Sequence, residues 1–188
     1  MPFEQCMYIK NVMSTFKQEW FFAGGWAIDL FLGKESRNHQ DIEIGIYRNV
    51  QGELKQYLKN WEFNKVINGQ VTPWQGEYLA LPVHEIHATN TNKHELEILL
   101  NESDDENWKF RRDLQISYPL KTAVKYSDTG LPYLTPEIVL LYKVKNTREK
   151  DHLDFLSAKR FLDSKQKDWL RRAIMIHEPE HEWLHLLD

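Results

Sequence analysis

Two carboxylates, Asp41 and Glu43, stand one residue apart in the segment "QDIEIGIY". At that spacing on a strand both project from the same face, roughly 7 Å apart along the chain. Their repulsion is tolerable in bulk water, or where a divalent cation lies between or beside them. Upstream, Gly24-Gly25 follow the apolar run "EWFF" and precede the helix-like "WAIDLFLG". Backbone without Cβ can approach an anion closely, and the free N–H groups at the start of a following helix can receive phosphate. Strand, glycine turn, short helix and acidic strand, in that order, place a phosphate cradle beside a cation site. Neither signal is specific alone: half-polar strands are common on sheets with one wet face, and glycine pairs mostly make turns.

The elements that must hold these groups are legible from hydrophobic period. Residues 4–19 read as an amphipathic helix with Phe3, Met7, Ile9, Val12, Met13 and Phe16 near one stripe. "EWFFAG" reads as a buried strand leaving through a tight turn, and the helical turns after it close at Gly33. Residues 41–47 alternate, with Ile42, Ile44 and Ile46 on one face and Asp41, Glu43 and Gly45 on the other. A helix over about 50–60 follows. The middle is strand-rich, in "FNKVIN", "EYLAL", "HEIHAT", "HELEILL" and "WKFRR". From Thr135, an N-cap candidate with Pro136 at the first helical position, the character becomes helical, with further helices at about 150–163 and 165–176.

The 188 residues suit one domain, or a domain with a helical appendage. No apolar stretch approaches the roughly 20 residues that span a bilayer, and no signal-peptide pattern opens the chain. A single cysteine, Cys6, excludes an intramolecular disulfide and a cysteine-based zinc site, so a cytoplasmic location is expected. The net charge of −4 argues against a nucleic-acid partner.

With these residues in view, "GGWAID" followed by "GKESRNHQDIEI" resembles the signature of the polymerase-β-like nucleotidyltransferase superfamily. The most similar branch is the small nucleotidyltransferases that act on aminoglycosides and lincosamides. The matching positions are Gly24, Gly25, Trp26, Arg37, His39, Asp41 and Glu43, and Asp29 fits as well, unless it faces solvent. The resemblance implies an α+β fold: a mixed sheet with flanking helices as the catalytic domain (1–130), then a C-terminal helical domain (131–188). It also implies a third carboxylate on a neighbouring strand. Leu96-Glu97-Ile98 matches the expected leucine–acid–apolar form, with Glu95 as the alternative on the same face. Asp41, Glu43 and Glu97 would then hold Mg²⁺, with Glu97 helping to deprotonate the attacking hydroxyl. Two acids depart from the family, which commonly carries Asp where this chain has Glu43 and Glu97.

The implied reaction moves a nucleoside monophosphate, AMP from ATP in this expectation, to a hydroxyl of a small molecule such as an aminoglycoside- or lincosamide-like antibiotic. Gly24, Gly25, Arg37, His39 and Lys143 would bind the nucleotide, since charge develops on the phosphate oxygens and calls for N–H donors and cations. Modification of a protein or an RNA is the alternative within the same chemistry, and a degenerate nucleotide-binding module the alternative outside it. "NWKFRRD" reads as an exposed strand, or else as a further phosphate contact. Trp74, Tyr78, His84 and His87 suit core or edge packing, or an acceptor pocket. "HEPEH" at 177–181 imitates a zinc-protease motif, but Pro179 inside it would break a shared helix, leaving His177 outside a terminal surface helix.

Overall fold

The computed structural model describes residues 2–187. The chain opens with helix α1 (Glu4–Val12), strand β1 (Trp20–Phe22), helix α2 (Gly24–Leu32) and strand β2 (Glu43–Tyr47). A 3₁₀ turn (Arg48–Val50) leads to α3 (Gln51–Tyr57), then to strands β3 (Glu62–Ile67), β4 (Gln70–Pro73), β5 (Glu85–Thr89), β6 (Glu95–Ser103), β7 (Asn107–Phe110) and β8 (Asp113–Pro119). A short helix α4 (Leu120–Ala123) and strands β9 (Val124–Tyr126) and β10 (Pro132–Leu134) follow. The chain finishes with α5 (Pro136–Lys143), α6 (Glu149–Lys159), α7 (Ser164–His177) and a 3₁₀ turn (Glu182–Leu186). This is the expected α+β architecture: one mixed sheet with flanking helices, then helices alone.

The sheet runs β4-β3-β5-β6-β2-β1-β10-β9, and β7 joins β6 to β8. The pairs β2–β6 and β1–β10 are parallel, whereas β1–β2, β5–β6 and β3–β5 are antiparallel. Alternation sets the faces. Ile44 and Ile46 on β2 lie beside Ile98 and Leu100 on β6, all buried on one side of the sheet. The opposite side carries Glu43, Gly45, Glu97 and Leu99. Gly45 is obligatory there, because a Cβ would stand 2.1 Å from the Phe21 ring.

The helix starts follow local chemistry. At α5, Thr135 occupies the cap position and Pro136 the first helical one, as expected. The Thr135 hydroxyl donates instead to Glu137 Oε2 at 2.7 Å, and Gln166 Nε2 donates to the same atom at 2.8 Å. Glu137 is fully buried, and these bonds, together with the Tyr118 hydroxyl, tie β8, α5 and α7 at one point.

Several boundaries differ from expectation. The first helix stops at Val12, not residue 19: the chain turns at Thr15, whose hydroxyl meets Tyr57 Oη at 3.0 Å. The acidic strand begins at Glu43, so Asp41 sits on its approach, tethered where Glu97 N–H donates to the Ile42 carbonyl at 2.9 Å. "EYLAL" is a loop, not a strand. Side chains bind its backbone: Leu79 N–H donates to Gln51 Oε1 and the Leu79 carbonyl accepts from Arg48 Nη1. The strand expected across "WKFRR" ends at Phe110, leaving Arg111 and Arg112 in the turn to β8.

The C-terminal segment is neither a surface helix nor a metal motif. His177 is the last residue of α7, and Pro179 lies beyond the helix. The 3₁₀ turn that follows buries Trp183, stacked on Phe155 with centroids 4.1 Å apart. His181 meets Thr147 Oγ1 at 2.9 Å while His177 sits edge-on to Phe110, so the two histidines serve separate contacts. Among the described residues no helix is long and apolar enough to cross a membrane.

Candidate functional site

The glycines, the tryptophan and the acids form one contact set. Helix α2 starts at Gly24, whose φ of +55° few side-chain-bearing residues adopt. A Cβ at Gly24 would stand 1.5 Å from Glu43 Oε2. A Cβ at Gly25 would stand 2.2 Å from Arg37 Nη2 and 2.5 Å from His39 Cε1. The pair therefore clears space for three named side chains. Trp26 Nε1 donates to the Asp41 carbonyl at 3.1 Å, and its ring lies on the His39 imidazole at 4.3 Å.

Glu43 and Glu97 are register partners across the parallel β2–β6 pair. Directly opposed carboxylates repel, and burial adds to this. Burial pushes the Glu43 carboxyl up; Lys143 and the Gly25 N–H pull against that, and Asp41 adds to it. Burial, then Glu43 and Asp41, raise the Glu97 carboxyl to about 7. Beyond Glu97 on β5 lies its register partner His87, whose Nε2 donates to Glu85 at 2.7 Å and lies 3.9 Å from Glu97. Among the described residues the three ligand atoms that come within 4.8 Å of one another belong to Glu85, His87 and Glu97. Glu43 is instead turned toward the glycine turn, so the Asp41, Glu43 and Glu97 oxygens share a face and a cleft without meeting as closely. Glu95, pairing with Thr89, points the same way as Glu97 from the exposed start of β6.

Buried carboxylates hold the side chains of the cleft wall, and two of them, Asp151 and Asp154, lie outside the sequence motif. Arg37 donates through Nε and Nη2 to the two oxygens of Asp154, each at 3.1 Å. Burial alone would lower the Arg37 guanidinium, but Asp154 outweighs it and holds it above its ordinary value. Lys143 Nζ sits 2.9 Å from Asp151 and 3.0 Å from Asp154, and Asp151 also binds Arg148 Nε at 2.7 Å. Asp151 and Asp154 are buried on one face of α6, at the i, i+3 spacing that was the available signal for them. His39 donates to Asp29 at 2.7 Å, and the Ser36 hydroxyl donates to the same carboxylate. Asp29 is thus fully buried and does not face solvent.

Two cavities meet at the acids. One, of about 590 Å³, runs from Gly24-Gly25 past Asp41, Glu43 and Glu97 to Arg111, Lys143 and Arg148. The other, of about 970 Å³, reaches Asp41 and Glu97 from the α1 side, lined by Glu4, Tyr8, Glu35, His94 and Glu95. His84 lies in the first and His87 in the second. Trp74 is a core residue and Tyr78 is exposed. A cation-walled cavity, three carboxylates and a separate acidic entrance can hold a polyphosphate on one side and an acceptor on the other.

Known proteins resemble this chain in sequence and fold. A lincosamide resistance protein of Staphylococcus haemolyticus is 22% identical over 157 residues, covering 83% of this chain and 93% of that protein. The crystal structure of lincomycin-bound LnuA, a lincosamide antibiotic adenylyltransferase, has a TM-score of 0.59 at 20% identity, covering 85% of this chain and 98% of the other. ANT(2'')-Ia in complex with adenylyl-2''-tobramycin has a TM-score of 0.63 at 14% identity, covering 92% and 98%. Residues 5–158 match the family model for aminoglycoside-2''-adenylyltransferase, and the chain accordingly belongs to that family of nucleotidyltransferase enzymes.

Proposed function

We propose that this chain transfers AMP from ATP to a hydroxyl of an aminoglycoside- or lincosamide-like antibiotic, in a Mg²⁺-dependent reaction. The observation that carries the reading is the opposition of Glu43 and Glu97, with Asp41 beside them, on the floor of a cleft walled by cations. The donor set fits magnesium: it is all carboxylate oxygen, and burial pushes the Glu43 carboxyl up against the partial relief of Lys143 and the Gly25 N–H. Asp41, Glu43 and Glu97 would hold the ion, which supplies charge neutralisation at the phosphate and its leaving oxygens.

The protein's own residues do the rest. Gly24 and Gly25 seat Glu43, Arg37 and His39 at the start of α2, so that the acid and the phosphate-binding side chains share one turn. Arg37 and Lys143, fixed by Asp154 and Asp151, place positive charge along the same wall, and His39 is held beside them by Asp29. Glu97 faces both cavities and takes the proton of the acceptor hydroxyl. The acceptor enters through the second cavity, whose Glu4, Glu35 and Glu95 suit a cationic, hydroxyl-rich molecule. Relatives holding lincomycin and adenylyl-tobramycin support an antibiotic acceptor. Residues 1–130 carry the chemistry in this reading, and 131–188 supply the facing wall through α5 and α6. A cytoplasmic location, where ATP is available, accords with it.

The test is incubation with each labelled nucleoside triphosphate, Mg²⁺ and a panel of hydroxylated antibiotics. Label is expected on an antibiotic, from ATP, with wild type and not with Asp41→Ala. Transfer that survives the substitution rejects the assignment.

A further inference from the structure

The side chains that the resemblance assigns to phosphate already have partners: Arg37 on Asp154, His39 on Asp29, Lys143 between Asp151 and Asp154. The same cavity carries positive charge of a different kind. The turn after β7 lays Arg111 and Arg112 against Tyr142 near the end of α5, with guanidinium carbons 5.4 and 5.6 Å from the ring centre. Arg112 also donates through Nη1 to the Tyr142 carbonyl at 2.9 Å, which accounts for its place as a helix-end contact. Arg111 has no such side-chain bond, and among the described residues no carboxylate pairs with it.

Two adjacent half-buried guanidinium groups repel, and burial makes that costly without a countercharge. Burial lowers the Arg111 guanidinium below its ordinary value and Arg112 adds to this, while Tyr142 and Glu85 offset them only in part. The ring beneath fixes the fork of Arg111 in place, in a cavity whose floor is Asp41, Glu43 and Glu97. Negative floor and unpaired positive wall match a magnesium–triphosphate: the metal end at the acids, the distal phosphates at the arginine. We propose that Arg111 binds the β- and γ-phosphates of the nucleotide, the part that departs as pyrophosphate. This rests on the nucleotidyl-transfer reading and adds a residue to it that the motif does not contain.

The test is calorimetric titration of the full chain with Mg²⁺ and, separately, ATP, AMP and inorganic tripolyphosphate. Arg111→Gln is expected to weaken ATP and tripolyphosphate at least about tenfold, the scale of one charge-assisted contact, with AMP unchanged. Should that variant fail to fold, Arg111→Lys carries the test: it keeps the charge and loses the fork, so tripolyphosphate should weaken while AMP does not. Unchanged tripolyphosphate binding in the folded variant, or an equal loss for AMP, overturns the assignment of Arg111 alone. Wild type that binds neither ATP nor tripolyphosphate overturns the nucleotidyl-transfer reading with it.

Discussion

Gly24 and Glu43 fit together only because the first has no side chain: a Cβ there would lie 1.5 Å from Glu43 Oε2. The strand acid and the helix start are thus one unit. Gly24→Ala adds a methyl at a φ of +55° and displaces the carboxylate. The strain is expected to cost about 1–3 kcal/mol of stability. Misplacing Glu43 by about an ångström is expected to cost on the order of a hundredfold in AMP transfer. A thermal melt and a label-transfer assay check the two separately, and wild-type transfer by this variant would contradict the arrangement.

Glu97 gives a pH prediction whose sign follows from its environment. Its carboxyl rises from an ordinary 4.5 to about 7 in the fold. Between those values the folded chain holds a proton that the unfolded chain releases, so stability falls as pH rises through this window. The loss is complete above about 7 and amounts to at most about 3 kcal/mol. Glu97→Gln should therefore be the more stable protein at pH 8 without metal, while losing transfer. Adding Mg²⁺ should raise the melting temperature of wild type at pH 8 more than that of the variant, because a cation relieves the same repulsion. Transfer by wild type should fall as pH drops and Glu97 gains its proton, and saturating Mg²⁺ should shift that limb downward. Identical melting curves for the two proteins across pH 5–8 would show that Glu97 does not carry this charge.

Asp154 joins two halves of the cleft wall, since Arg37 comes from the loop after α2 and Lys143 from the end of α5. The carboxylate is buried, and removing one partner of such a set leaves uncompensated charge. Asp154→Asn is expected to cost about 3–5 kcal/mol, read by denaturant unfolding. A cycle with Arg37→Gln should show non-additivity of about 1–3 kcal/mol, as for residues in one ion-pair network. Simple additivity would place Arg37 outside that network.

The motif was legible because its members touch one another. Trp26 holds the Asp41 carbonyl and the His39 ring, His39 binds Asp29, and both glycines make room for Glu43, Arg37 and His39. Short-range pattern encodes short-range contact, and β2 and β6 were readable for the same reason through their alternation. What the sequence hid is long-range. Asp154 meets Arg37 across 117 positions, and nothing local marks it beyond its spacing from Asp151. The loop at "EYLAL" looked like a strand because its composition suits one. Its partners are the side chains of Arg48 and Gln51, which no period reveals. Helix α1 ended early for a similar reason, as Tyr57 takes up the turn at Thr15.

Glu95 and Glu97 leave β6 on one face, yet they border different surroundings. Glu97 lines both cavities, whereas Glu95 lines the α1-side cavity alone. If Glu95 were the third metal ligand, Glu95→Gln would abolish transfer outright. In the arrangement found here, it should leave kcat near wild type and raise KM for a cationic aminoglycoside by a few-fold, as an exposed charge contact worth about 0.2–1 kcal/mol implies. The increase should shrink between 50 and 500 mM salt, since exposed charges are screened. KM for ATP should not move. Steady-state kinetics at the two salt concentrations decides it: a collapse of kcat would exchange the roles of the two glutamates, and an unchanged acceptor KM would close this cavity as the acceptor's entrance.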